Sequence, residues 1–230
     1  MLIIIDKRIP QQSKDILKTY GELLELETTG ITYDAISGHP DIFFCQAPDN
    51  TLIVAPNLPE YYFKVLFNHN IPFIKGEKEV GNKYPSTAHY NIVLTDKYLI
   101  HNTKHTDRII LDLNKDKTII NTKQAYTRCN LINLGDNSFI TSDDGIFKTL
   151  SNLKFNILNV SPFYIDLPSF EHGFFGGVCG VYDEKVFING SLNYHRQGKQ
   201  IINFISALGY SIIELYEGKL YDGGSILFID

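Results

Sequence analysis

The stretch Gly177-Val178-Cys179-Gly180-Val181-Tyr182-Asp183-Glu184-Lys185-Val186-Phe187-Ile188 decides the fold. Two short apolar runs, 178–182 and 186–188, flank the polar turn Asp183-Glu184-Lys185, the pattern of a β-hairpin. Downstream, 195–208 carries Ile201, Ile202, Ile205 and Leu208 at helical spacing on one face. Gly209 follows as a helix C′ residue, where a glycine meets no Cβ penalty. A third strand is expected over 211–215. The unit therefore reads strand, strand, helix, strand.

Working back along the chain, the unit recurs. One copy has strands 129–134 and 138–141, a helix over 144–153 and a strand over 155–160. Another has strands 91–94 and 98–101, a short helix in 107–114 and a strand over 118–121. An earlier one has strands 41–46 and 52–55, a helix over 59–67 and a strand over 72–74. The hairpin turns at Asp49-Asn50, Asp96-Lys97, Gly135-Asp136-Asn137 and Asp183-Glu184-Lys185 lie roughly 40 to 47 residues apart, a spacing typical of propellers and arrays. The amino-terminal copy has only strand 2–5, helix 11–20 and strand 23–27, and a surplus strand, 225–229, stands at the other end. A ring of repeats leaves no open sheet edge when the two ends complete one unit together. The expectation is one α/β domain over 1–230, a five-fold pseudo-symmetric β/α propeller closed by its amino- and carboxy-terminal strands. The segments leading into the hairpins, 37–40, 88–90, 126–128, 173–176 and 220–222, then converge on the axis.

Composition bounds the function. Apolar residues make up 43% of the 230, enough for a large core and too many for a disordered chain. Lys plus Arg number 21 against 26 Asp plus Glu, with the signs interspersed and no basic cluster, so no nucleic-acid partner is expected. Cys45, Cys129 and Cys179 are an odd set, each in an expected strand, and do not form a disulfide framework. The apolar run at Leu2–Ile5 is too short for a signal peptide, and nothing is long enough to span a bilayer. A cytoplasmic protein without a membrane partner follows. No G-x-G-x-x-G opens a helix and no phosphate loop occurs, so no cofactor is expected. His101 and His105 have a metal-ligand spacing, but His101 falls at a strand end with no third ligand near, and exposed histidines without a metal are expected.

Several residues could carry chemistry. His39-Pro40-Asp41 stands at a strand entrance, where His39 and Asp41 could share a proton or hold a cation. The more ordinary reading is a turn in which Asp41 accepts backbone amides. Arg128-Cys129 opens a hairpin, and a guanidinium beside a thiol can activate it. Neighbours on a strand face opposite ways, however, and a buried, inert Cys129 is the simpler reading. Gly173, Gly176, Gly177 and Gly180 could let a ligand approach the backbone or serve tight packing. Asp222-Gly223-Gly224-Ser225 puts a carboxylate before the last strand, where it would face the axis and could pair with a basic ligand group, although a left-handed turn through the glycines explains the same residues.

The repeated unit, His172-Gly173-Phe174-Phe175-Gly176-Gly177 and the closing Asp222-Gly223-Gly224-Ser225-Ile226 together resemble the pentein superfamily, in a bacterial branch of that fold. These are five-bladed β/α propellers that include arginine and agmatine deiminases and amidinotransferases. The resemblance spans essentially the whole chain. It implies a nucleophilic cysteine on the last strand, yet Ser225-Ile226-Leu227-Phe228-Ile229 has none. It implies a general-base histidine at the head of the fourth hairpin, where Phe174 stands and His172 lies two residues upstream. It makes Asp41 a candidate contact for a substrate guanidinium. The expected site holds His39, Asp41, Cys129, His172 and Asp222 as candidate catalytic residues, and Arg128, Gly176, Gly177, Gly223, Gly224 and Ser225 as candidate ligand contacts. The expected ligand is a small polar molecule of the guanidino or amino-acid type. The alternative is a non-catalytic module of the same fold that binds a protein partner. The sequence sets no oligomeric state.

Overall fold

A computed structural model describes residues 1–135 and 137–230. It contains five three-stranded sheets built alike. Phe44–Gln46, Leu52–Val54 and Phe73–Lys75 form one. Val93–Leu94, Tyr98–His101 and Thr118–Asn121 form the next. Leu131–Asn133, Ser138–Thr141 and Asn156–Asn159 follow, then Cys179–Tyr182, Lys185–Ile188 and Ser211–Glu214. In each, the first strand runs antiparallel to the middle one and the middle one parallel to the third. The remaining sheet joins the chain ends: Leu227–Ile229 pairs antiparallel with Leu2–Asp6, with Ile3 opposite Phe228, and Leu2–Asp6 pairs parallel with Glu22–Leu26.

The middle strands explain why these residues pair. Leu2–Asp6, Leu52–Val54 and Ser138–Thr141 are buried at every position. A strand covered on both faces reads as an unbroken apolar run, and each buried Ile or Leu contributes roughly 1.5–3 kcal/mol. The third strands, such as Glu22–Leu26 and Asn156–Asn159, alternate or lie open. A helix bridges middle and third strand in every unit. Glu60–Asn68 buries Tyr62, Phe63 and Leu66, Asp144–Asn152 buries Ile146 and Leu150, and Gly198–Ala207 buries Ile201 and Ile205. Asp107 and Asp143 cap two of these helices, accepting from the N–H of Ile109 at 2.9 Å and of Ile146 at 2.7 Å. Gly209 follows the helix Gly198–Ala207 with φ +86°, the left-handed conformation expected of a C′ glycine.

Turns and strand starts depart from the sequence reading in places. The fourth hairpin closes over Asp183 and Glu184 alone, both at positive φ, while Lys185 pairs with Tyr182. Of the turn read at Gly135-Asp136-Asn137, Asp136 lies outside the described residues. The strands expected to begin at 41, 91, 129, 178 and 225 begin later, at Phe44, Val93, Leu131, Cys179 and Leu227. Pro40–Phe43 and Phe175–Val178 are instead single helical turns. Pro40 favours this, because its fixed φ suits the first helical position and its missing N–H costs nothing there. Cys129 is consequently in a turn rather than a strand. An additional two-stranded parallel pairing joins Ile165–Asp166 to Leu220–Tyr221. No helix among the described residues is long and apolar enough to cross a membrane.

Candidate functional site

The five segments that lead into the hairpins hold one another through backbone hydrogen bonds and the side chain of Asn91. Asp41 N donates to Gly224 O at 3.1 Å, and Asn91 Nδ2 donates to Asp41 O at 3.1 Å. Cys129 N donates to Asn91 Oδ1 at 3.1 Å. Gly177 N donates to Cys129 O at 2.7 Å, and Ser225 N to Gly177 O at 2.8 Å. The series thus runs from each segment to the next and returns to the first. Buried backbone groups need partners, and here they find them in the neighbouring unit. Gly176 and Gly177 make the approach possible. A Cβ on Gly176 would lie 2.3 Å from Arg128 O, and one on Gly177 would lie 2.0 Å from Asp222 Oδ1.

Above these segments lies a cavity of about 300 Å³ lined by His39, Asp41, Cys129, His172 and Asp222. Its other walls are largely aromatic and aliphatic: Tyr33, Tyr126, Phe170, Phe174, Ile36, Ile42 and Leu167, with Glu171 as a third acid and no Lys or Arg among the lining residues. Asp41 is fully buried. Its Oδ2 accepts from Ser225 Oγ at 2.7 Å, and Ser225 Oγ also lies 3.1 Å from Gly176 O. Asp41 Oδ1 is buried and has no hydrogen-bond donor among the described residues. Asp222 is better supplied, with Oδ2 accepting from Phe174 N at 2.8 Å and Oδ1 from Gly224 N at 3.0 Å.

His39 stands between two acids. Its Nδ1 is 3.9 Å from Asp222 Oδ1 and its Nε2 is 3.9 Å from Asp6 Oδ2, both beyond hydrogen-bond range. Asp6 is itself saturated by Arg8, whose backbone N–H, Nε and Nη2 all donate to it. His172 Nδ1 lies 3.0 Å from Gly173 O, and its ring meets Phe163 and Phe174 edge-on.

Burial sets the protonation states. It pushes Asp41 up to about 6, against the pull of the Ser225 hydrogen bond, the Arg128 charge and the nearby Asn91 amide. It pushes Asp222 up to about 7, helped by the charge of Asp41 and opposed by the two backbone N–H groups. It lowers His39 to about 4, so the imidazole is neutral at pH 7. Burial and the charges of Asp41 and Asp222 push the Cys129 thiol well up, so it is held as a thiol rather than a thiolate. Cys45 and Cys179 are buried and raised likewise.

The cavity therefore gathers His39, Asp41, Cys129, His172 and Asp222, while Arg128 lines a different one and donates from Nη1 to Gly176 O at 3.2 Å. The space beside Gly176, Gly177, Gly223 and Gly224 is taken by protein atoms: Arg128 and Cys129 backbone, the Asp222 carboxylate, Ile9 and His39 respectively. The glycines let neighbouring segments pack closely. His101, expected to be exposed, is buried, with Nδ1 2.7 Å from Thr106 Oγ1 and Nε2 2.7 Å from Ala125 O. Sequence reasoning missed Asn91, fully buried between Asp41 and Cys129. Its position before the second hairpin, matching Asp41 before the first, is the signal that could have found it. It also missed the aromatic walls: Tyr33 and Tyr126 join through their hydroxyls at 3.1 Å, and nothing in their local sequence marks them.

Residues 4–227 match the profile of DUF6873, a family of unknown function. No curated protein sequence matches the chain. Solved structures do. SxtG, an amidinotransferase from Microseira wollei in the saxitoxin biosynthetic pathway, is similar at a TM-score of 0.58 and 12% identity, over 100% of this chain and 94% of that one. DDAH from Pseudomonas aeruginosa, in complex with citrulline, is similar at 0.56 and 11% identity, over 93% of this chain and 91% of that one. Agmatine deiminase from C. jejuni is similar at 0.55 and 12% identity, over 93% of this chain and 74% of that one. Likeness at such identities is a likeness of fold, the fold of the pentein superfamily.

Proposed function

The chain belongs to the DUF6873 family of unknown function, and we propose that it binds a small organic cation, of the guanidinium or ammonium class, in the cavity that holds Asp41 and Asp222. We read the five sheets as blades of one five-fold pseudo-symmetric β/α propeller domain over 1–230, closed by the two chain ends. The hydrogen bonds that pass from segment to segment support that reading, in which the cavity lies on the propeller axis.

One observation carries the ligand class: Asp41, a buried carboxylate with one oxygen lacking a donor among the described residues, lines a cavity that has a second buried carboxylate and no Lys or Arg among its lining residues. A donor-rich cation would satisfy it and relieve the cost of burying the charge. The rings of Tyr33, Tyr126, Phe170 and Phe174 would cover an apolar portion of the ligand or face its charge. The names of the similar enzymes point to guanidino compounds as well. Covalent chemistry through cysteine is not part of the proposal, because Cys129 is held as a thiol and the last strand has none. The second reading is a protein-interaction module, favoured by Phe163 and Phe170, 63% and 52% exposed beside the cavity. Its ligand would be a cationic side chain of a protein partner.

Titration calorimetry with arginine, agmatine and guanidinium, and with urea and glutamate as controls, tests the proposal. Saturable binding of at least one cation at pH 8, lost in Asp41→Asn and absent for the controls, is expected. Folded protein that binds none of the three cations at pH 8 would overturn the small-ligand reading. Binding only of Arg- or Lys-containing peptides would favour the interaction module.

A further inference from the structure

A second cavity, of about 590 Å³, lies apart from the carboxylates and shares none of their lining residues. It is bordered by first strands of several sheets, at Gln46, Val93, Leu131 and Leu227, and by the turn at Asp96 and Lys97. Arg128 lines it, whereas the next residue, Cys129, lines the smaller cavity. Asn91 explains this division. It takes the backbone N–H groups of both Arg128 and Cys129, so the chain passes between the two cavities at this point.

The Arg128 guanidinium is poorly satisfied. It has five N–H donors, and its one hydrogen bond among the described residues runs from Nη1 to Gly176 O at 3.2 Å. No carboxylate of those residues pairs with it within ion-pair distance. Its charge is disfavoured by burial and favoured by the more distant Asp41. Arg128 is half-buried, with most of its donors left to the cavity, and its planar fork matches an oxyanion in bidentate fashion. Lys97 on the rim adds a second positive charge, and Gln46, Asn50 and Asn133 add amides. Asp96 is the acid among the described lining residues.

We propose that this cavity binds a small oxyanion, a carboxylate or a phosphate, anchored by Arg128 and drawn in by Lys97. The site rests on residues separate from those of the cation cavity, so either reading can fail while the other stands.

The test is titration calorimetry of the full chain at pH 7 and constant ionic strength, with inorganic phosphate in one arm and succinate in the other. One-to-one saturable binding in at least one arm is expected, and the stronger arm identifies the source. Arg128→Gln should weaken it by tenfold or more, and Lys97→Glu, in an exposed turn, several-fold. Failure of both anions to bind at about 10 mM, where a millimolar site would be filled, overturns the proposal. So does binding that keeps its affinity in a folded Arg128→Gln variant. Should that variant not fold, affinity unchanged by Lys97→Glu is the overturning result.

Discussion

Replacing Asp41 by Asn should stabilise the protein at alkaline pH and leave it little changed in mild acid. Asp41 rises from the ordinary 3.8 to about 6 because it is buried, which corresponds to about 3 kcal/mol. Between those two values the folded state keeps a proton that the unfolded chain has released. Raising the pH through that window therefore strips the folded state and lowers its stability. The wild type bears the whole cost above pH 6, whereas Asp41→Asn bears none of it. The Ser225 Oγ bond to Oδ2 is already counted in that figure, because it is one of the pulls that hold Asp41 down to about 6. The gain at pH 8 is then about 3 kcal/mol.

From pH 5 to pH 8 the difference between variant and wild type should grow by about 1.4 kcal/mol. Asp222 adds to it with the same sign, because the Asp41 charge is one cause of its own raised value. Urea unfolding of both proteins at pH 5, 6, 7 and 8 measures the difference directly. A constant difference across that range would mean that Asp41 titrates as an ordinary surface carboxylate, and the argument for a costly buried charge would collapse.

His39, lowered to about 4 from 6.5, contributes stability that is complete above pH 6.5 and lost as the pH falls towards 4. His39→Gln should therefore show a shallower acid limb, and equal slopes between pH 6.5 and 4 would contradict the burial argument. The three cysteines should react with a thiol reagent at pH 7.5 roughly a hundredfold or more slower than a free thiol and become fully reactive in denaturant. One fast thiol in the folded protein would reopen a cysteine mechanism. Gly177→Ala places a Cβ 2.0 Å from Asp222 Oδ1 and should cost about 1–3 kcal/mol. An unchanged melting temperature would show that Asp222 moves freely.

The hairpins were legible because strand alternation and turn chemistry are local. The polar run Asp183-Glu184-Lys185 announces a turn, although Lys185 proves to pair with Tyr182, and the apolar run of Val186–Ile188 reads as a strand covered on both faces. The pairing of Leu2–Asp6 with Leu227–Ile229 was legible by counting, since each end lacked what the other had in surplus. The strand starts were not. A single helical turn such as Phe175–Val178 is fixed by hydrogen bonds to the neighbouring unit, as in Gly177 N to Cys129 O, and those partners are remote in sequence. Asp41 and Asp222 could be picked because each stands in a segment leading into a strand, whereas Glu171, the third acid of the cavity, could not. Tyr33, Tyr126 and Phe170 could not, because each arrives from a different connecting segment. Arg128 illustrates the reverse difficulty: adjacency to Cys129 suggested a joint role, and the turn around Asn91 sends the two to separate cavities.

The same buried charge that weakens the empty protein would strengthen its hold on a cation, and the pH dependence of binding can tell how many carboxylates take part. A cation that needs Asp41 ionised loses affinity as that group protonates below about 6. From pH 8 to pH 5 this amounts to about a tenfold loss. Should the ligand also need Asp222 ionised, with its value of about 7, the loss becomes about a thousandfold over the same range. Calorimetry in two buffers of different ionisation enthalpy adds an independent reading, because binding near pH 6 should release protons, more of them when both groups are engaged. A tenfold change with modest release would leave Asp222 as a positioning group held by Phe174 and Gly224. A thousandfold change would make the two carboxylates a single receptor. Affinity independent of pH between 5 and 8 would mean that the cation meets neither of them.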